Sequence, residues 1–328
     1  MKLIDKRLVA LSALSAMCAA LLLPAGVQAQ AFPTKPVRVV VPFPAGGTLD
    51  SLGRQLATRM QESLGQPVVI EPRGGGATRV GTQAVQVAAP DGYTVLFMAN
   101  SFVMVPMLMD KAPWDAFKDF APVSLVSRVS QVLVVHPSFE ARTLPELVKY
   151  AKAKPGQLDF ASFGNGTSSH LGVELFKQMA GVYMVHIPFA GVAPALQNVL
   201  GGQVKVFFTN IPDVLPHIQG GRLRALATSD DKRSPQLPEV PSFAEQGFPG
   251  FASYSWYGMA VPAGTPEPAI RRLHEAMAFA LKSGDVRERL VQQGHTILGG
   301  GPEDLRRFMV SEQQRYAAPI KRSGAKIE

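Results

Sequence analysis

A two-lobed α/β fold is the class this 328-residue sequence predicts, and three features predict it. Strand-like and helix-like patterns alternate in two successive sets, and in each set a glycine-bearing turn joins a strand to a helix. A late extended stretch then precedes three helical segments at the C-terminus. This order suits two sets of β-α units joined by two crossing strands, expected near Ser124 to Val135 and Tyr254 to Val261. The lobes are expected at 32–128 plus 254–328 and at 129–253.

The first 31 residues stand apart from that alternation. Lys2, Lys6 and Arg7 precede an apolar run from Leu8 to Leu23, followed by Pro24, Gly26 and small residues, the layout of a secretory signal peptide. Cleavage after Ala29 or after Ala31 fits the small-x-small rule equally well. The run is shorter than the roughly 20 residues a spanning helix needs. Cys18, the only cysteine, lies inside it, so the exported chain is expected to carry neither a disulfide nor a thiol nucleophile, as suits the periplasm. Removing Lys2, Asp5, Lys6 and Arg7, a net +2, takes the formal charge from +8 to +6. That charge is dispersed, with no basic run and no aromatic-interleaved patch of the nucleic-acid kind.

The elements follow in order. Val37, Val39, Val40 and Val41 favour a buried strand, and Leu49, Leu52, Leu56, Met60 and Leu64 recur at helical spacing. Between them lie Pro42, Phe43, Pro44, Ala45, Gly46 and Gly47, whose small side chains leave the amides at the helix start reachable by an anion. Gly65 ends that helix, and Pro67 to Glu71 gives a second strand, parallel to the first. A glycine turn at Gly74 to Gly76 leads to a helix carrying Val80, Ala84 and Val87, and Tyr93 to Met98 forms a third strand ending at Asn100 and Ser101. Residues 102–128 are irregular and Pro-bearing, and read as a covering segment.

A strand resumes from Gln131 to Val135, and Thr143 to Glu146 has capping-box spacing ahead of a helix. Leu158 to Ala161 feeds Ser162, Phe163, Gly164, Asn165, Gly166, Thr167 and Ser168, the counterpart of the opening turn, now with hydroxyls that suit carboxylate oxygens. Leu171, Leu175, Phe176 and Met179 trace the following helix. Tyr183 to Ile187, a loop with Phe189, Ala190 and Gly191, a helix marked by Leu196 and Val199, and a strand from Val204 to Phe208 come next, the last ending at Thr209 and Asn210. Leu223 to Ala227 adds a strand, and three helices headed by Pro266, Asp285 and Pro302 close the chain.

Catalytic and metal constellations do not emerge from this order. Ser168, Ser169 and His170 are adjacent, lack a Gly-x-Ser-x-Gly elbow, and cannot face one another at a helix start as nucleophile and base must, so capping or ligand donation is the better role. The six histidines never stand at an i, i+4 interval, so no metal and no cofactor is assigned. Asp50 suits capping of the first helix, or acceptance of a hydrogen bond from a ligand. Phe43 and Phe189 suit the wall of a small pocket, and packing explains them as well.

Taken together, Pro42 to Gly47 with Asp50, Ala89 to Tyr93, Asp119 to Val123, Gly164 to Leu171, Leu200 to Val204 and Pro262 to Pro266 make the chain closely resemble the Bug family. These are the extracytoplasmic receptors of tripartite tricarboxylate transporters, and the match runs in order from about Phe32 onward. The resemblance implies a type II-like periplasmic binding protein that closes on a small organic acid and delivers it to membrane permease components. It further implies a monomer without enzymatic activity, with Phe43, Ala45, Gly46, Gly47, Asp50, Ser101, Ser162, Gly164, Asn165, Gly166, Thr167, Ser168, Phe189, Ala190 and Asn210 around the ligand. A sensory module presenting its ligand to a receptor kinase would share this fold, and a periplasmic hydrolase is a weaker alternative. Ala77, Thr78 and Arg79, Phe189 and Ala190, and Thr209 depart from the family's usual residues, respectively a glycine pair with Asn, Tyr and Lys, and Asp. The resulting rim is less polar and would suit an aromatic or otherwise apolar-bodied carboxylate.

Overall fold

The computed structural model describes residues 32–327, so the leader and Cys18 lie outside it. β1 (Val37–Val41) is the buried strand its valines require, and it pairs in parallel with β2 (Val68–Pro72) and β3 (Thr94–Ala99). α1 (Thr48–Leu64) follows β1, buries Leu49, Leu52, Leu56, Met60 and Leu64, and stops at Gly65 with φ +70°. Those leucines pack with Val37, Val39 and Val41 and with α8 (Glu267–Lys282) in one core. α2 (Arg79–Gln86) is buried through Gly81, Thr82 and Val85; Val80 and Val87, expected on its inner face, are exposed.

The stretch expected to be an irregular cover is regular. Ser101–Leu108 is a helix, α3, with Pro106 in its last turn, and β4 runs for 16 residues from Phe120 to Val135. Prolines masked both elements: Pro106 sits where its helix is about to end, and Pro122 falls at a register shift in β4.

β4 joins the two halves. From Phe120 to Ser130 it pairs antiparallel with β9 (Tyr254–Pro262), which also lies beside β3. From Gln131 to Val135 it pairs with β7 (Val206–Asn210) and β8 (Arg224–Thr228). The ladder partner therefore changes between Ser130 and Gln131, opposite Tyr254, where the returning chain enters β9. The second half repeats the scheme: β5 (Asp159–Ser162) is parallel to β6 (Val185–Pro188) and β7, with α4 (Leu144–Ala153), α5 (Ser168–Ala180) and α6 (Val192–Leu200) between strands. The main path through the sheet is β2-β1-β3-β9-β4-β7-β5-β6, with β8 off it beside β4.

Two elements escape periodicity. α7 (Ile211–Gln219) contains Pro212 in its first turn and Pro216 within, and β10 (His295–Gly300) pairs antiparallel with β4 after α9 (Gly284–Gln292). α10 (Pro302–Ser323) closes the chain and packs on both α3 and α5, with Gln178 Nε2 donating to Pro319 O at 3.2 Å. Among the described residues, no helix is long and apolar enough to cross a membrane.

Candidate ligand-binding site

The two strand-turn-helix motifs face each other across a cleft. An inner cavity of about 40 Å³ is bounded by Phe43, Pro44, Gly47, Thr48, Leu49 and Asp50 from the first turn, and by Phe163, Thr167 and Ser168 from the second. Ala99, Asn100 and Ser101 close it at the end of β3, Gly191 and Val192 at the start of α6, and Asn210, Ser255 and Tyr257 on the strands. An outer cavity of about 220 Å³ shares Phe43, Pro44, Phe163, Thr167 and Gly191 and adds Gly75 to Thr78, Gly164, Asn165, Phe189 and Ala190. The shared residues form a collar between the two spaces.

Most residues read from the sequence meet here. Phe43, Gly47, Asp50, Ser101, Thr167, Ser168 and Asn210 line the inner space, and Gly164, Asn165, Phe189 and Ala190 the outer one. Ala45, Gly46, Ser162 and Gly166 line neither. The Ser162 hydroxyl is held at 2.6 Å from His186 Nε2 and accepts from Gly164 N at 3.2 Å, so it braces the turn from behind. Gly166 has φ +72° and faces Val105, Leu108 and Ile327 of the other half. The pairing of β4 with β9 brings in Ser255 and Tyr257, and the start of α6 brings in Val192, none of which carried a signal in sequence.

Beneath the second turn, His170 and His186 stack at 4.0 Å between centroids, and Phe160 covers the far face of His186 at 4.9 Å. Gly166 N donates to His170 Nδ1 at 3.3 Å, which requires that nitrogen to be unprotonated. Burial lowers the His170 pKa to about 4, with nearby Lys177 adding to the effect. Burial, then His170 and Lys177, lowers that of His186 to about 3. Thr167 caps α5 by accepting from His170 N at 3.4 Å, and its own hydroxyl donates to Gly164 O at 2.6 Å.

A polar chain runs under the inner cavity and joins the two motifs. Gln131 Nε2 donates to Ser168 Oγ at 3.0 Å, Ser168 Oγ lies 2.8 Å from Ser255 Oγ, and Ser255 Oγ donates to Asn210 Oδ1 at 2.6 Å. Asn210 Nδ2 in turn reaches Thr48 Oγ1 at 3.2 Å, Asp213 Oδ2 at 3.1 Å and Tyr257 Oη at 3.4 Å. Burial raises the Tyr257 pKa, and the Asp213 charge raises it further, so its hydroxyl stays protonated.

Carboxylates of the protein occupy part of the first turn. Asp50 Oδ2 accepts from Gly46 N at 3.1 Å, and Arg54 braces the same carboxylate, Nη2 to Oδ1 at 3.0 Å. Asp50 therefore holds the turn ahead of its helix through Gly46 N, and it does not cap the helix's own first amides. Asp213, from α7 on the other side of the cleft, accepts from Thr48 N at 3.1 Å and Thr48 Oγ1 at 2.7 Å. Thr209 Oγ1 donates to it as well, at 3.1 Å, so a carboxylate stands beside the end of β7 although Thr209 replaces the Asp usual in the resembling family. Desolvation pushes the Asp213 carboxyl above the usual range, and the hydrogen bonds from Thr48, Thr209 and Asn210 pull it back. No lysine, arginine or histidine lines either cavity among the described residues. No group of three metal-ligating side chains occurs among them either.

Two halves, one continuous strand between them and a cleft walled by paired helix starts define a two-lobed solute-binding protein of the periplasmic type. Comparison with known proteins narrows this. The model of the tripartite tricarboxylate transporter family receptor matches residues 52–325, and the chain belongs to that family. It is 39% identical over 306 residues to Protein BugT of Bordetella pertussis (strain Tohama I), covering 93% of this chain and 94% of that one. Among solved structures, the periplasmic binding protein BugD superposes with a TM-score of 0.86 at 33% identity, over 90% of this chain and 99% of its own. Rpa4515 of R. palustris, solved with adipate, gives the same score, identity and coverage. Members of this family bind substrates and do not transform them, so the adjacent serines and His170 serve the fold and the cleft.

Proposed function

We propose that this chain is exported to the periplasm by its leader, captures one small organic acid between its lobes, and passes it to the permease components of a tripartite tricarboxylate transporter. The observation that carries this is the inner cavity: two helix starts face it from opposite sides, and apolar side chains make up much of its wall. Helix-start amides and hydroxyls hold an anion without a cationic side chain. Phe43, Leu49, Phe163 and Val192 offer an apolar body its surroundings, which favours an aromatic or alkyl carboxylate over a hydroxylated tricarboxylate. The adipate in the related structure supports the carboxylate class. The lobes of this reading are residues 32–128 with 254–328, and residues 129–253, moving about the point where β4 changes partners.

The test is mass spectrometry of small molecules released from the purified mature protein, followed by a melting screen of mono- and dicarboxylates. A ligand at a hundred times its Kd stabilises by about 2.7 kcal/mol. At roughly 2–4 °C per kcal/mol for a chain of this order, the melting temperature should rise by about 5–10 °C. A rise with amines or sugars and none with any organic acid would refute the reading.

A further inference from the structure

The two cavities of the cleft differ in size, and a third helix start opens onto both. The inner cavity, at about 40 Å³, has room for roughly two or three water-sized groups at about 10–15 Å³ each, which suits a carboxylate and not a ring. The outer cavity, at about 220 Å³, exceeds the roughly 150 Å³ of an apolar cavity that takes benzene. Its wall includes Pro42, Phe43, Pro44, Phe163, Pro188 and Phe189. Gly191 lines both cavities, and without a side chain it does so through its backbone. It precedes α6, whose first residue, Val192, lines the inner cavity, and neither Gly191 N nor Val192 N has a partner among the described residues. Across the same cavity Gly47 N, Leu49 N and Asp50 N of the α1 start are unbound. Ser101, only 2% exposed, lines it as well, and its hydroxyl has no partner among the described residues.

From these observations, and resting on the organic-acid reading above, we infer that the cleft divides its ligand between the two cavities. The inner one takes the carboxylate, held by the start of α6 as well as that of α1, and the outer one is a subsite for an aromatic body. The ligand class is then an aryl alkanoate, whose short methylene spacer passes the collar at Phe43, Phe163 and Gly191. Ser101 supplies a side-chain donor to the carboxylate, and each such bond to an ionised group is stronger than one between neutral groups. Buried donors without a protein partner are costly unless water or an anion meets them, and a carboxylate meets several at once. The ring lies against proline and phenylalanine side chains, where it displaces water from apolar surface.

The test titrates propanoate and 3-phenylpropanoate, which share a head and differ by a ring, into the mature protein and three variants. The wild type should bind 3-phenylpropanoate at least tenfold more tightly than propanoate. Val192→Pro removes one amide and keeps the helix, because proline suits the first helical position and Gly191, at ψ −179°, already has the extended geometry a following proline needs. It should weaken both acids at least tenfold relative to Val192→Ala, which keeps the amide. Phe189→Ala should weaken 3-phenylpropanoate at least fivefold and propanoate less than twofold. Should circular dichroism show Val192→Pro unfolded, Ser101→Ala takes its place, with a tenfold loss on both acids expected against wild type and a loss on neither counting against the inference. Equal affinities of the two Val192 variants overturn the assignment and leave the organic-acid reading standing. So does a Phe189→Ala variant that weakens the two acids alike, or a wild type that binds propanoate as tightly as 3-phenylpropanoate. Binding of neither acid by a protein that binds another organic acid in the melting screen does the same, and failure of every organic acid overturns both.

Discussion

Gly166→Ala tests the seam between the halves. Gly166 has φ +72°, and a Cβ built there lies 3.0 Å from both Leu108 Cδ1 and Val105 Cγ2 and 3.1 Å from Ile327 Cδ1. The first two belong to α3, and Ile327 is fastened to the end of that helix by its amide, which donates to Leu108 O at 2.9 Å. A methyl group would therefore press a turn of the second half against the first half and the C-terminal tail. The left-handed conformation costs about 1–2 kcal/mol for a residue with a Cβ. Crowding an already packed contact adds about 1–3 kcal/mol, and reduced freedom of the unfolded chain returns about 0.4–1 kcal/mol. The net is roughly 2–4 kcal/mol, or about 5–15 °C in melting temperature. Differential scanning fluorimetry with and without a bound acid measures it, and under the closure proposed above the rise caused by the acid should also shrink. A variant that melts within about 2 °C of wild type and binds the acid unchanged would show that the turn does not pack on α3.

Other perturbations probe the layers beneath the cleft. Asn210→Ala deprives the Ser255 hydroxyl, Asp213 and Tyr257 of a partner at once. With about 1 kcal/mol for each hydrogen bond lost, thermal melting should fall by on the order of 10 °C; a fall under 2 °C would mean that water replaces the amide. Gly172→Ala sets a Cβ against the Phe208 ring and 2.7 Å from Ser253 Oγ, so stability should drop by about 1–3 kcal/mol in urea titrations while the ranking of acids stays the same. Acid should weaken the protein through its buried histidines. Burial holds His170 and His295 at about 4, against an ordinary value of 6.5. Between those limits the unfolded chain binds protons that the folded chain refuses, so stability is complete above pH 6.5 and is lost as the pH falls toward 4. At about 1.4 kcal/mol per pH unit, His170 alone accounts for roughly 3 kcal/mol. A melting temperature unchanged from pH 7 to pH 4.5 would contradict the buried stack.

What could be read in the sequence was local, and what could not was mostly tertiary. The valines of β1 and the leucines of α1 bury the faces their spacing implies, and both glycine turns fall at the starts of helices. α7 goes unassigned because Pro212 and Pro216 interrupt its stretch; Pro212 occupies a first-turn position that tolerates it. β10 stayed hidden because His295, Thr296 and Ile297 are too few for periodicity, and only β4 makes them a strand. α2 misled in another way: Val80 and Val87 suggested an apolar face, but Gly81 packs so close to Pro42 and Arg73 that the helix turns its other side inward.

The same division of local from tertiary governs the cleft. A helix start rich in glycine announces that an anion is welcome and does not say whose anion it is. Periodicity could place Thr48 at the start of α1, but nothing in the chain marks Asp213 as its partner, since the link depends on β7 delivering α7 to the opposite wall. Once Asp213 is in place, the two ends of the cleft stop being equivalent. The end at Gly164 to Ser168 is built from neutral donors, with a neutral imidazole stack behind it. At the end at Thr48, two protein carboxylates already take Gly46 N, Thr48 N and the Thr48 hydroxyl, so the amides of Gly47, Leu49 and Asp50 are the donors left to a ligand there.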